Sequence, residues 1–162
     1  MIQTMQRIQP ILDNAVFQEY LQSIQELEKD RIYCGHDLAH LLDVARIAAL
    51  LAADVHAAYP RDVIYAAALL HDIGRVQQYI DGTPHAQAGE AVARQILQHT
   101  AFSQQEQQDI LQAVRGHQQD TAHNSLTQLI HEADHRCRMC FACPAQDTCK
   151  WTAERRNHTI WL

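Results

Sequence analysis

Histidine and aspartate residues recur along the chain on helical faces that are otherwise apolar. His40 begins one such face, the pair His71 and Asp72 ends another, and Asp134 follows Ile130 at helical spacing. A buried carboxylate is costly unless it is paired or bound to a metal. Two carboxylates beside several histidines lower that cost by sharing a divalent cation, and this donor set suits manganese, iron, nickel or zinc. A single histidine on an apolar face is more often a hydrogen-bonded core residue, so spacing alone leaves both interpretations open.

Two further histidines end apolar helical faces between Asp72 and Asp134, namely His85 and His117. They could hold a second metal, or they could contact substrate or support the ligands of a single metal. Four other histidines are expected at the surface: His56, His99, His123 and His158. His131 and His135 flank Asp134 and are expected at the surface or behind the ligands.

Four of the five cysteines crowd into one short segment, in the order Cys137, Cys140, Cys143 and Cys149. The spacing indicates thiolate ligands for zinc or for an iron–sulfur cluster, with free thiols as the third reading. Structural zinc usually uses two well-separated C-x2-C pairs, which is not the pattern found here. Cys34 lies six residues before His40 and is expected to reach the tail if His40 and Asp134 share a metal. Which four of the five cysteines bind stays open.

The composition predicts a single all-α domain over residues 1–162. The chain has 5 Gly, 4 Pro and 6% aromatic residues, which is too few turn residues for an all-β fold. The net charge of −6 argues against a duplex-binding protein, and any anionic ligand would need local cations or a metal. No apolar run is long enough for a signal peptide or a membrane span, so we expect a cytoplasmic protein with reduced thiols.

Capping and turn signals predict six helices. Ser103 with Glu106 forms a capping box, and Thr83 with Pro84 opens another helix. Gly74 is predicted to end the third helix as a C-terminal glycine. The predicted helices cover about residues 14–29, 36–57, 60–72, 83–99, 103–115 and 125–134.

Three strings resemble the HD-domain superfamily of metal-dependent phosphohydrolases. HDLAHLLDVARIAALLA is similar to the first metal-binding helix, ALLHDIGR to the central His-Asp motif, and HEAD to the segment with the last ligand. The pair His36-Asp37 is not part of this set and is assigned to a helix start. The resemblance covers about Arg31 to Asp134. It implies a bundle of about six or seven helices, with a core over about 31–136 and a cysteine-rich tail over about 137–162.

The resemblance also implies a function and roles for particular residues. A divalent metal would be held by His40, His71, Asp72 and Asp134. Asp72 would also orient a water or take its proton, and Arg75 would hold a phosphate of a small phosphorylated, nucleotide-like substrate. The C-x2-C-x5-C run is similar to auxiliary four-iron cluster domains and to the tails of some bacterial HD proteins. This resemblance favours a [4Fe–4S] cluster over zinc, and it favours Cys34 over Cys137 as the fourth ligand. The alternatives are a redox- or iron-sensing module with little activity and a di-iron oxygenase that uses His85 and His117.

Overall fold

The computed structural model describes residues 5–118 and 125–160. Within these ranges the chain is helical and has no strand, so the predicted all-α class is confirmed. Seven helices have at least seven residues, and a shorter one precedes them. No helix in this part of the chain is long and apolar enough to cross a membrane. The helices are α1 (Gln9–Leu12), α2 (Ala15–Leu27), α3 (Leu38–Asp54), α4 (Arg61–Leu70), α5 (Arg75–Asp81), α6 (His85–Leu97), α7 (Gln104–Gly116) and α8 (Leu126–Arg136).

Several helices begin at side chains that satisfy the free backbone N–H groups of the first turn. Asn14 accepts hydrogen bonds at the start of α2, and Asp37 accepts one from the His40 amide at the start of α3. The predicted capping box of Ser103 and Glu106 is present in α7. The predicted cap at Thr83 is wrong by one residue, because Pro84 occupies the cap position of α6.

Helix α4 lies at the centre of the molecule and packs against α3, α7 and α8. It is apolar on all sides, which is typical of a helix surrounded by others. Its buried residues are Val63, Ile64, Ala66, Ala67, Ala68, Leu69 and Leu70. The C-terminal end of this helix therefore carries the following residues, His71 and Asp72, into the protein interior, where both are essentially inaccessible to solvent.

The connection from α4 to α6 differs from the prediction in two ways. The sequence predicts no helix between Gly74 and Gly82, whereas α5 occupies most of that interval. Gly74 also has a φ of −77°, so it is not a left-handed C-terminal glycine. Instead, a Cβ at Gly74 would lie 2.1 Å from the His85 carbonyl oxygen and 2.3 Å from the Gly89 nitrogen. Glycine is required there because the backbone of α6 passes so close.

The two ends of the described chain are held by polar contacts. Arg7 forms a two-pronged ion pair with Asp62 at 2.6 and 2.7 Å, and also contacts Glu106 at 2.9 Å. Near the other end, Asn157 is buried and its side-chain amide donates to the carbonyls of His135 and Arg138, each at 2.8 Å. In residues 137–160, the described part of the tail after α8, the regular structure consists of three 3-10 turns of three residues each.

Candidate metal centre

Side chains from α3, α8 and the end of α4 bring four potential ligands together. The donor atoms of His40, His71, Asp72 and Asp134 all lie within 4.8 Å of one another. Oδ2 of Asp72 is 3.0 Å from Nε2 of His71 and 3.4 Å from Nε2 of His40. Oδ1 of Asp134 is 3.3 Å from Nε2 of His40. The four residues named by the sequence as metal ligands therefore share one site.

A second donor group adjoins the first and shares one carboxylate with it. Asp72, His85 and His117 offer donor atoms within 4.8 Å of one another. Nε2 of His85 is 3.3 Å from Oδ1 of Asp72 and 3.1 Å from Nε2 of His117. Asp72 thus directs Oδ2 to one group and Oδ1 to the other, which is the arrangement of a bridging carboxylate.

Backbone carbonyls set the orientation of two imidazole rings. Nδ1 of His71 lies 2.6 Å from the Ala68 carbonyl oxygen, and Nδ1 of His117 lies 2.7 Å from that of Val114. A carbonyl can only accept, so each Nδ1 carries the proton and donates it. In a neutral ring this leaves Nε2 with the lone pair that a metal requires.

The other two histidines are oriented by side chains. Nδ1 of His85 lies 3.0 Å from Oε1 of Gln78. Nδ1 of His40 lies 3.5 Å from Sγ of Cys137, and that thiol donates to the Asp134 carbonyl at 3.1 Å. The Cys137 sulfur is then free to accept the Nδ1 proton of His40. All four rings consequently direct Nε2 toward the aspartates.

The buried polar atoms at the centre fit a cation. Nε2 of His71 and Oδ2 of Asp72 have no hydrogen-bond partner among the described residues. Burial alone would lower the pKa of His71, but the charges of Asp72 and Asp134 outweigh it and raise that pKa to about 10. Burial would raise the pKa of Asp72, but His71 and Arg75 hold it well below its usual range. The ionised carboxylates of Asp72 and Asp134 are therefore stabilised by a nearby positive charge. A divalent ion would provide that charge in place of the His71 proton.

The second pair of histidines has the opposite electrostatic character. Burial and the charge of Arg75 together lower the pKa of His85 to about 3, although Asp72 opposes them. Burial likewise lowers the pKa of His117 to about 4. Both rings are neutral at physiological pH, the protonation state in which an imidazole can bind a metal or accept a proton.

Two arginines contact the acidic donors. Nε of Arg75 donates to Oδ1 of Asp72 at 2.8 Å. Nη2 of Arg138 is 3.1 Å from Oδ1 of Asp134 and 3.0 Å from Nε2 of His40. The sequence does not single out Arg138, although its place four residues after Asp134 is the spacing of a contact across one helical turn.

His36 lies close to the centre but outside both donor groups. Its ring is 5.6 Å from that of His40, and its Nδ1 forms a short hydrogen bond with Glu28. The Glu28 carboxylate also accepts from the His36 amide at 2.9 Å and from the Tyr79 hydroxyl at 2.5 Å. The assignment of His36-Asp37 to a helix start therefore describes Asp37, whereas His36 belongs to a buried network that the sequence did not reveal.

The remaining histidines are distributed as follows. His56, His99 and His158 are exposed, and His123 lies outside the described residues. His131 and His135 are half-buried. Nδ1 of His131 donates to the His117 carbonyl at 2.7 Å, so it supports a residue of the second donor group.

The cysteines are not gathered around a single point. Cys140 is buried, and Cys34, Cys137, Cys143 and Cys149 are half-buried. No three of these thiol sulfurs lie within 4.8 Å of one another among the described residues. Cys137 contacts His40 of the candidate metal centre, and hydrogen bonds of Tyr33 and Arg138 join the loop of Cys34 to the tail.

Comparisons with known proteins relate the chain to one family. A family model described as HD domain matches residues 37–139. An uncharacterized protein of Clostridium beijerinckii is 36% identical over 157 residues, covering 97% of this chain and 99% of the relative. The crystal structure of a predicted HD superfamily hydrolase from an uncultured Thermotogales bacterium has a TM-score of 0.61 and 25% identity, covering 86% of this chain and 80% of that one. Ribonuclease Y of Frankia alni is 31% identical over 101 residues, which are 62% of this chain and 13% of that enzyme.

Proposed function

Because the chain belongs to the HD domain family, we propose that it is a metal-dependent phosphohydrolase for a phosphate ester or anhydride of a small nucleotide-like molecule. The proposal includes an additional metal or iron–sulfur site at the cysteines. Family membership and the similarity to an HD superfamily hydrolase support phosphate hydrolysis in general. The nucleotide-like nature of the substrate is proposed in addition.

One observation carries the proposal. Nε2 of His71 and Oδ2 of Asp72 are buried, face each other at 3.0 Å and have no hydrogen-bond partner among the described residues. Unsatisfied buried polar atoms are rare in proteins and call for an explanation. A divalent cation held by these atoms, with His40 and Asp134, satisfies both at once and neutralises the two carboxylates.

The chain's own residues divide the work of hydrolysis. A bound divalent ion supplies Lewis acidity toward the phosphoryl group and lowers the pKa of water. Asp72 stays ionised and can orient a water or accept its proton. Neutral His85, 3.3 Å from Oδ1 of Asp72, can receive that proton next. Asp134 is the most open of the four ligands at 26% exposure, so substrate would approach from its side.

The two arginines are placed to bind the phosphate. Arg75 contacts Asp72 and Arg138 contacts Asp134, and their side chains are 16% and 10% exposed. Guanidinium groups bind phosphate through charge-assisted hydrogen bonds. They also provide the local positive charge that an anionic substrate needs in a protein of net charge −6.

The experiment that tests the function is a phosphate-release screen with the full-length protein. The panel contains a nucleoside monophosphate, a nucleoside triphosphate, a cyclic dinucleotide and a simple aryl phosphate, each with and without added Mn²⁺. We expect metal-dependent turnover of at least one nucleotide and none by Asp72→Asn. Absence of turnover with every substrate, in protein shown to hold its metal, would leave the sensing-module alternative in its place.

A di-iron oxygenase is the second candidate, because Asp72 joins the two donor groups and His85 and His117 complete the second. The same protein loaded with Fe²⁺ under anaerobic conditions distinguishes the two functions. Oxygenase chemistry predicts oxygen uptake when air and an organic substrate are added, whereas hydrolysis predicts phosphate release without oxygen.

A further inference from the structure

We propose that one [4Fe–4S] cluster is bound by four of the five thiols, those of Cys34, Cys140, Cys143 and Cys149. Cys137 stays outside the cluster and positions the ring of His40. The ligand assignment goes beyond the proposed hydrolase function and does not depend on it, whereas the part concerning Cys137 rests on His40 being a metal ligand.

Hydrogen bonds join the loop around Cys34 to the cysteine-rich tail. The hydroxyl of Tyr33 donates to the Thr148 carbonyl at 3.2 Å, and Nη1 of Arg138 donates to the Gly35 carbonyl at 2.8 Å. Tyr33 and Gly35 flank Cys34, and Thr148 directly precedes the last cysteine of the chain. The loop is therefore fixed to the tail at both ends of the cysteine segment.

Two thiols of the tail affect the pKa of the Cys34 thiol across this junction. Burial raises the pKa of Cys34, Arg138 lowers it, and negative charge on Cys140 and Cys143 raises it further. Thiolates this close repel each other unless a metal group neutralises them. The same arrangement that is unfavourable for free thiolates is favourable for cluster ligands.

Backbone hydrogen bonds of the tail are formed at three of the proposed cysteine ligands. The Cys143 amide donates to the Cys140 carbonyl at 3.2 Å, which closes a tight turn between two proposed ligands. The Trp151 amide points at Sγ of Cys149, 3.5 Å away. Backbone N–H groups directed at cysteine sulfur stabilise its negative charge and are a feature of cluster sites.

Cys137 is excluded because its sulfur is engaged elsewhere. Its thiol donates to the Asp134 carbonyl at 3.1 Å, and Sγ is 3.5 Å from Nδ1 of His40. The contact with Asp134 is local to the end of α8. The contact with His40 directs the sulfur toward the candidate metal centre. We assign Cys137 to holding Nδ1 of His40, so that Nε2 of that ring faces the aspartates.

The spacing of the sulfurs favours a cluster over one zinc ion. Sulfurs on a tetrahedral zinc lie about 3.8 Å apart, because each Zn–S bond is about 2.3 Å. No three of the thiol sulfurs in the described chain are within 4.8 Å of one another. In a four-iron cluster each thiolate binds a different iron, so the sulfurs are necessarily farther apart.

The tail also needs a cross-link because it has almost no core of its own. Between residues 138 and 160, the buried residues are Cys140, Ala145 and Asn157. The large apolar side chains of Met139 and Ile160 are exposed. A segment that buries so little apolar surface is held in one conformation by a metal group more readily than by packing.

The test measures acid-labile sulfide and iron in full-length protein purified anaerobically. Sulfide is the deciding quantity, because the His/Asp centre can hold iron but cannot supply sulfide. We expect about four sulfide ions per chain in the wild type. The variants Cys34→Ser, Cys140→Ser, Cys143→Ser and Cys149→Ser should each lose at least about three quarters of it, together with the visible absorption. Cys137→Ser is the matched control and should keep both.

Three outcomes would overturn the proposal: a wild type without sulfide, a tetrathiolate zinc site, or loss of sulfide in Cys137→Ser with retention in Cys34→Ser. Helix content by circular dichroism and Mn²⁺ binding show whether each variant is folded. If a variant fails to fold, the wild-type sulfide count still decides. None of these readouts uses substrate, so failure of the cluster proposal and failure of the hydrolase proposal are separate results.

Discussion

Asp72 is the residue on which both halves of the candidate metal centre depend. Its side chain is 1% exposed, and its two oxygens face different donor groups. Oδ2 faces His71 and His40, whereas Oδ1 accepts from Arg75 and faces His85. No other residue in the described chain contributes to both groups.

Replacing either central ligand should remove the metal and leave the helices in place. His71→Ala and Asp72→Ala each delete a donor from the set of four, and the other helix contacts are untouched. Elemental analysis after dialysis should show metal occupancy reduced at least tenfold relative to wild type, with helix content preserved. Full occupancy in either variant would show that the ligand assignment is wrong.

Arg75 should matter for turnover and little for metal binding. Arg75→Ala removes a guanidinium contact to phosphate, worth about 1.5–3 kcal/mol, so kcat/KM should fall about ten- to a hundredfold. Arg46→Ala is the matched control, because the Arg46 side chain is 60% exposed on the surface of α3. Equal kcat/KM in both variants would reduce Arg75 to an ion-pair partner of Asp72.

The sequence was informative about ligands and less so about the residues around them. His40, His71 and Asp134 are recognisable because a polar residue interrupts an apolar helical face. The partner of His36 is Glu28, which belongs to a different helical segment, and no local pattern indicates such a pairing. Arg138 is spaced four residues from Asp134, but its contacts with His40 and the Gly35 carbonyl depend on tertiary packing that no local pattern indicates.

At the scale of helices, the approach of α6 to the turn after α4 sets the position of the second donor group. A Cβ at Gly74 would meet the His85 carbonyl at 2.1 Å, and His85 begins α6. Close packing tolerates no such overlap without a backbone shift. The glycine therefore determines how near His85 lies to Asp72.

Gly74→Ala should displace α6 and destabilise the fold by roughly 1–3 kcal/mol or more. The unfolding free energy is measured by urea denaturation. Gly35→Ala is the control, since the nearest atom to a Cβ there is Oε2 of Glu28, at an ordinary 3.7 Å. Equal stability of the two variants would contradict the close-approach argument.

The Glu28 network joins the end of α2 to α5 and to the loop before α3, and it makes stability depend on pH. Burial raises the pKa of Glu28, but hydrogen bonds from His36 and Tyr79 outweigh it and lower that pKa to about 2, against a usual 4.5. A carboxyl whose pKa is lower in the folded state stabilises the protein above pH 4.5. That contribution is lost as the pH falls from 4.5 toward 2.

Glu28→Gln should therefore destabilise the protein at pH 7 by about 1–3 kcal/mol, and by progressively less below pH 4.5. Urea denaturation at pH 7 and at the lowest pH where the fold persists gives both values. Glu19→Gln, at an exposed position of α2, should show no such pH dependence. A constant difference between wild type and Glu28→Gln at all pH values would contradict the assignment.

Helix starts were predictable where a capping side chain marks them, as at Asn14 and Ser103. Helix α5 was missed because Val76 is its only buried residue, so it lacks an apolar stripe. Gly74 and Gly82 lie immediately before and after this helix, and in the sequence both look like helix-breaking residues. Gly82 has a positive φ of 80°. Gly74 is required because α6 passes close to it, and this tertiary contact cannot be read from the neighbouring residues in the sequence.

At the scale of the whole molecule, two half-buried arginines lie beside the candidate metal centre of an acidic protein. The net charge is −6, yet Arg75 and Arg138 both contact the aspartates of the candidate metal centre. The tail carries Arg138 and, in the proposed cluster, is fixed to the loop of Cys34. We infer that the helical bundle supplies the metal ligands and the tail supplies part of the phosphate site.

Metal-dependent hydrolysis at this centre is tested most directly by phosphate release by full-length protein that has been stripped of metal and then titrated with Mn²⁺. The substrate is the best one from the nucleotide panel. We expect no release from stripped protein and none by Asp72→Asn. In the wild type the rate should rise in proportion to bound metal until the site is full. A rate in stripped protein or in Asp72→Asn equal to that of the metal-loaded wild type would contradict metal-dependent hydrolysis at this centre.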